Sequence, residues 1–190
     1  MELNTLALFP VIIKYFNLFY PQKECLQIVE ETRELVKQQH KERDVLTNSK
    51  SNFDLNTKAL DLYPKLKKNI IDQIHLYENE LGLYNSVLKN SWINFQLENS
   101  KLSKHTHPCS QISGVLYLKV DPESTPIYFY NPNPYNSILD KKEHNTNNCE
   151  FYYFKPNIGD LILFPSWLSH GSNENKSLSK ERVSLSFNSG

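Results

Sequence analysis

The chain has 190 residues, of which 39% are hydrophobic, 22% charged and 12% aromatic, enough to build a sizeable globular core. Lysine plus arginine balances aspartate plus glutamate at 21 each, so no global field favours nucleic acid or an acidic ligand. The 3 cysteines, Cys25, Cys109 and Cys149, are far apart with no C-x-x-C pair, which argues against a disulfide framework and for a reducing, cytoplasmic setting.

The first apolar run, "LALFPVIIKYF", is interrupted by Pro10 and Lys14 and is too short to cross a bilayer as a helix. It predicts an edge strand over Pro10–Phe16. From Pro21 to about His40, Cys25, Ile28, Val29, Leu35 and Val36 recur at helical spacing, and Pro21 suits a helix start. Val45 to Asn56 is polar and turn-rich and reads as a loop. A second helix is expected from about Thr57 to Leu81. Leu60, Tyr63, Ile70, Ile74, Tyr77 and Leu81 form one stripe, Pro64 sits in the first turns and Gly82 is the stop.

Beyond Gly82 the pattern changes. "SWINFQLE", "SGVLYLKV", "TPIYFYN", "EFYYFKP", "GDLILFP" and "RVSLSFN" are short, β-branched or aromatic, and bounded by Pro, Gly or Asn. Such strands predict a sandwich or barrel of the jelly-roll kind. A polar insert, Asn131 to Asn148, is too long for an ordinary hairpin loop and reads as a mobile segment or a substrate lid. The expected organisation is one domain over 1–190, with an all-β core and helices. Residues 1–82 supply an N-terminal strand and two supporting helices, and 83–190 a double-stranded β-helix, cupin-like, carrying the insert 131–148.

"KHTHPCSQISGVLYLKV" places His105 and His107 one residue apart before a buried strand. In extended backbone, residues i and i+2 share a face, so both imidazoles reach one cation. His170 follows the strand in "GDLILFPSWLSHGSN", and a jelly roll lays sequence-distant strands side by side. Two neighbouring ligands and one late ligand, with open positions opposite, make the facial arrangement of non-haem Fe(II) oxygenases. Arg182, entering the last strand, is placed to pair bidentately with a carboxylate in the barrel, and Tyr117 adds a hydroxyl if it faces inward. Phe164 and Trp167 read as ordinary core aromatics near His170.

Taken together, "HTH…SGVLYL…GDLILFPSWLSHGSN…RVSLSFN" resembles the 2-oxoglutarate- and Fe(II)-dependent oxygenase superfamily over Ser91 to Asn188. It is similar to a subgroup with H-x-H, S-G-V-x-Y-L and F-P-S-W-L-x-H motifs. The resemblance implies a dioxygenase that hydroxylates a small-molecule or peptide substrate using Fe(II), 2-oxoglutarate and O2, with release of succinate and CO2. His105 matches the first iron ligand, His170 the distal ligand, Arg182 the residue pairing with the distal carboxylate of 2-oxoglutarate, and Tyr117 a supporting hydroxyl. His107 falls where most members carry Asp or Glu, and the gap from His170 to Arg182 is longer than usual.

The alternative is a cupin-type metal-binding protein, or a dioxygenase that does not use 2-oxoglutarate. A cupin adds a Glu four or five residues after the second His, where Gln111 and Ile112 stand here. A three-histidine zinc hydrolase needs a general base, and Asp160, the acid nearest the motifs, reads as a turn residue. Without a basic, aromatic-rich groove, no nucleic-acid partner is expected. His40, His75 and His144 stand outside the motifs.

Overall fold

The computed structural model describes residues 9–39, 41–42, 49–51 and 56–190. Eleven strands and two α-helices appear among them. In chain order these are β1 Lys14–Phe16, α1 Gln22–Gln39, β2 Lys41–Glu42, β3 Ser49–Ser51, α2 Pro64–Glu80, β4 Leu88–Leu97, β5 Leu102–His105, β6 Ile112–Lys119, β7 Ile127–Tyr130, β8 Phe151–Phe154, β9 Leu161–Pro165, β10 His170–Ser172 and β11 Glu181–Ser189. They form two antiparallel sheets. The larger has the order β1-β9-β6-β11-β4-β3-β2, and the smaller β5-β10-β7-β8. This is the expected double-stranded β-helix with helical support.

Strand alternation explains how the larger sheet serves two layers. On β4, Ile93 and Phe95 turn to the helices, whereas Trp92, Asn94 and Gln96 face the barrel cavity. On β11, Val183 and Leu185 join the helical layer, whereas Arg182, Ser184 and Ser186 line the cavity. A period of two therefore gives each strand one apolar face and one polar, functional face. On the helical side, Cys25, Ile28, Val29 and Val36 of α1 pack with Leu66, Ile70, Ile74 and Tyr77 of α2 against this sheet. Each fully buried aliphatic side chain there contributes about 1.5–3 kcal/mol.

Several expectations are corrected in detail. The single helix over Thr57–Leu81 is two pieces, a 3-10 turn at Ala59–Leu62 and then α2, with Pro64 at the first position of α2. A proline ring tolerates that position and not the interior, which sets the break at Tyr63. Helix α1 ends at Gln39, and His40 lies outside the described residues. Its Leu35 is exposed, and Thr32 takes the buried position instead, donating its hydroxyl to the Ile28 carbonyl at 2.6 Å. The ladder of the first strand covers only Lys14–Phe16 rather than Pro10–Phe16. Part of the expected loop Val45–Asn56 is strand β3, which pairs with β4; residues 45–48 and 52–55 lie outside the described residues. Gly82 has φ +70, the left-handed conformation that ends a helix without steric cost, as expected of the stop.

The insert is a loop cross-tied by its own side chains. It contains a 3-10 turn at Pro134–Ile138 capped by the Asn133 side chain. Buried Asn136 donates its amide to the carbonyls of Asn148 (2.7 Å) and Cys149 (3.0 Å), and Asn131 donates to Cys149 at 2.8 Å. Asparagine side chains thus replace the backbone ladder that the segment lacks.

Candidate active site

His105 is the last residue of β5, and His170 is the first of β10; the two are directly paired across these strands. His107 lies two residues beyond β5, where its backbone N–H donates to the Ser166 carbonyl at 2.9 Å. The three rings converge, with centroid separations of 5.0 Å for His105–His107, 4.3 Å for His105–His170 and 5.0 Å for His107–His170. One nitrogen from each lies within 4.8 Å of the others. Among the described residues this is the cluster of three or more ligand-type side chains that the fold assembles.

Two of the rings are fixed in the tautomer a metal needs. A carbonyl only accepts, so His105 donates Nδ1–H to the Ser103 carbonyl (2.7 Å) and His170 donates Nδ1–H to the Leu168 carbonyl (2.9 Å). Both therefore present Nε2 with its lone pair toward the shared point. His170 is nearly fully buried, and that burial, with the neighbouring His105 and His107, pushes its pKa down to about 3. It is neutral, and able to ligate, across the physiological range. Phe164 packs edge-on to His170 at 4.6 Å and Trp92 lies 6.0 Å from His107, giving the cluster an apolar surround. Gly171 has a specific reason to lack a side chain, because a Cβ there would stand 2.7 Å from the Leu102 carbonyl oxygen. Strand β10 could not then approach β5 closely enough to bring His170 to His105.

The same cavity continues to a cationic end, lined by Arg182, Tyr117, Gln96 and Ser172. Arg182 is 6% exposed. Its Nη1 donates to Gln96 Oε1 at 2.7 Å, and its Nη2 donates to the Tyr117 hydroxyl at 3.2 Å. The guanidinium carbon sits 4.8 Å from the Tyr117 ring centroid. Arg182 Nε is buried with no hydrogen-bond partner, and among the described residues no carboxylate pairs with this arginine. Burial raises the Tyr117 pKa against the lowering effect of Arg182, so the phenol is neutral.

The sequence-identified residues His105, His107, His170, Tyr117 and Arg182 are thus brought to one cavity. Trp167 is not: it is 57% exposed on the rim and lines a separate cavity with Cys109 and Gln111, which corrects the expectation of a core aromatic. Phe164 is core, as expected. Trp92, Gln96, Ser172 and Ser184 were missed, although the alternation Trp92, Asn94, Gln96 along β4 signals a polar inner face. Gln111, at the position a cupin fills with Glu, donates to Glu78 (2.9 Å) and the Tyr84 carbonyl (3.0 Å) and supplies no ligand. Asp160 accepts from the Tyr15 hydroxyl, the Leu18 N–H (3.0 Å) and the Asn157 N–H (2.7 Å), which makes it a turn anchor rather than a base.

Three imidazoles bring no negative charge to a divalent metal, and a buried guanidinium with no carboxylate partner among the described residues stands at the other end of the cavity. That donor set fits an iron ion together with a dicarboxylic co-substrate. A fold and site of this kind define a non-haem metal oxygenase. Comparison with known proteins specifies it: residues 90–188, just over half of the chain, match the family model described as "Putative 2OG-Fe(II) oxygenase". The chain belongs to this family of enzymes, whose cofactor and co-substrate are Fe(II) and 2-oxoglutarate.

Solved structures agree in fold. A Pseudomonas putida prolyl-4-hydroxylase is similar at 17% identity, with 93% of this chain and 91% of that one covered and a TM-score of 0.62. A Trichoplax adhaerens prolyl hydroxylase in complex with a hypoxia inducible factor peptide fragment is similar at 12% identity, with 93% and 82% covered and a TM-score of 0.64. The non-haem α-ketoglutarate-dependent epimerase SnoN from nogalamycin biosynthesis is similar at 13% identity, with 94% and 77% covered and a TM-score of 0.71. A comparison with curated protein sequences gives no match.

Proposed function

We propose that the chain hydroxylates a small-molecule or peptide substrate, coupled to conversion of 2-oxoglutarate to succinate and CO2. His105, His107 and His170 hold the iron, and Arg182 with Tyr117 holds the distal carboxylate of 2-oxoglutarate. The observation that carries this reading is the two-ended cavity, with converging histidines at one end and, at the other, a buried arginine that has no carboxylate partner among the described residues. Bound iron and 2-oxoglutarate supply the activation of O2. The Ser103 and Leu168 carbonyls keep two imidazoles oriented. Tyr117 already accepts from Arg182, so its own proton is available to a carboxylate oxygen. Trp92, Phe129 and Phe164 keep the reacting end poor in water, which strengthens every charge interaction there.

Substrate enters this reading through the barrel rim. A cavity of about 680 Å³ lies between residues 9–13 and strand β8, backing onto His170 through Phe129 and Leu168. Its described lining carries no charged side chain and includes Tyr152, Phe154 and the insert residues Asn131 and Asn136. That supports an uncharged small molecule or peptide segment, with the insert as one wall. The shared packing of α1 and α2 on the larger sheet supports treating 1–190 as one working domain, with 1–82 supporting the core 83–190. No helix among the described residues is long and apolar enough to cross a membrane, and the free thiols Cys25, Cys109 and Cys149 suit a cytoplasmic location.

The test is turnover of metabolite and peptide libraries with Fe(II), 2-oxoglutarate and O2. Succinate release matched by a product that gains one oxygen atom is expected. Matched succinate release with a product of unchanged mass would refute hydroxylation in favour of an isomerisation such as epimerisation.

A further inference from the structure

Gln96, on β4 directly opposite Arg182 on β11, is 4% exposed and fixed in orientation by its neighbours. Its amide nitrogen donates to the Ser100 carbonyl at 3.2 Å and to the Ser172 hydroxyl oxygen at 2.8 Å. The Ser100 carbonyl can only accept, so the amide cannot flip, and Oε1 is aimed at Arg182 Nη1, 2.7 Å away. Ser172 Oγ also accepts from the Leu102 N–H at 3.2 Å, which locks the assembly to β5 and β10. Among the described residues, every acceptor that holds the guanidinium is therefore neutral. Gln96 and Tyr117 fix the plane of Arg182 and leave its charge uncompensated in a buried place, where an isolated charge is costly until a counter-ion arrives. A glutamate of nearly the same size would keep the contact to Arg182 and cancel the charge internally, while giving up the donation to the Ser100 carbonyl.

We propose that Gln96 is a positioning residue that sets co-substrate selectivity: its neutral amide holds Arg182 in place without satisfying its charge, so the site prefers 2-oxo acids bearing a second carboxylate. The inference rests on the function proposed above and adds the residue that makes the arginine selective. A role confined to stitching β4 to β10 would weaken every 2-oxo acid equally. A role in selectivity weakens only the diacid.

The experiment is anaerobic calorimetric titration of the iron-loaded full chain with 2-oxoglutarate and with 2-oxopentanoate, which has the same chain length and no second carboxylate. The parent binds 2-oxoglutarate at least about tenfold more tightly than 2-oxopentanoate. Gln96→Glu loses at least about tenfold in 2-oxoglutarate affinity, keeps its 2-oxopentanoate affinity within about threefold, and still gives a cooperative melting transition. Gln96→Met, which fills similar space without an acceptor, serves if the charged variant does not fold; it weakens 2-oxoglutarate and spares 2-oxopentanoate. An unchanged preference in Gln96→Glu, or an equal loss for both acids, overturns the proposal while leaving the oxygenase reading in place. A parent that binds neither acid overturns the oxygenase reading, and this proposal with it.

Discussion

Removing any one of His105, His107 and His170 tests the metal centre most directly. Four-ligand structural zinc sites bind with apparent free energies of about 10–16 kcal/mol, or roughly 2.5–4 kcal/mol for each ligand. A three-histidine iron site that loses one ligand should therefore weaken by at least about 60-fold, at about 1.4 kcal/mol per decade. With free Fe(II) held about tenfold above the parent's Kd, the parent is about 90% filled and such a variant about 15% or less. The assay is anaerobic equilibrium dialysis followed by iron quantification, with about one iron per chain expected in the parent. His170 is also a packed ring against Phe164, so its alanine variant must first be shown to fold by its metal-free melting curve. His105 and His107 are half-buried and carry less of that risk. The decisive comparison is His107, at the position where the family resemblance implies a carboxylate. Full iron in His107→Ala, with loss in His105→Ala and His170→Ala, would refute the three-histidine centre.

Arg182→Lys keeps the charge and loses the planar fork, so 2-oxoglutarate affinity should fall by about 2–5 kcal/mol, at least tenfold, with iron content unchanged; equal affinity by calorimetry would remove Arg182 from the co-substrate site. Ile74 is 1% exposed between α2 and the larger sheet, so Ile74→Asp should cost more than about 4 kcal/mol, and a urea midpoint equal to the parent's would show that the stripe is not core. Glu181 accepts from Arg33 at 2.8 and 3.0 Å and from Lys119 at 2.8 Å. The Arg33 hydrogen bonds, against the cost of burial and with help from Lys119, bring its pKa from 4.5 down to about 2. The ionised form is favoured by folding, so this stabilisation is complete above about pH 4.5 and is lost as pH falls toward 2. Glu181→Gln should remove about 1–3 kcal/mol at pH 7 and flatten the acid limb of the stability curve; an unchanged limb would show that the pair contributes nothing.

The parts of this site that were legible in sequence share one property. Each lies next to a strand long enough to show a period of two, or belongs to a motif with fixed local spacing. His105 and His107 are two residues apart, Tyr117 sits in the apolar run of β6, and Arg182 opens the alternating polar and apolar pattern of β11. Their convergence needed only the topological rule that sequence-distant strands become neighbours in a jelly roll. What was illegible depends on short strands and on pairing. Strand β10 has three residues, His-Gly-Ser, and no periodicity can announce it; it exists because β5 and β7 flank it. Strand β3, Ser-Lys-Ser, has no apolar residue and is held by the edge of β4.

The two tryptophans show the same limit from the other side. Trp167 stands three residues from His170 and is exposed, while Trp92, 15 residues before His107 in the chain, lies against that histidine. Proximity in sequence was a poor guide because the Pro165–Leu168 turn swings the intervening side chain outward, with the Leu168 N–H closing back onto the Pro165 carbonyl at 2.9 Å. Gln96 is the extreme case. Its partner is 86 residues away, and the contact follows only from the antiparallel register that sets Arg182 opposite Gln96. A slip of one residue would turn Gln96 toward the helices and Phe95 toward the cavity. The hydrophobic face of β4, Ile93 and Phe95 against α1 and α2, forbids that slip. The same packing energy that holds the helices on the sheet therefore fixes which side chain meets the arginine, and this couples the apolar layer to the chemistry of the cavity.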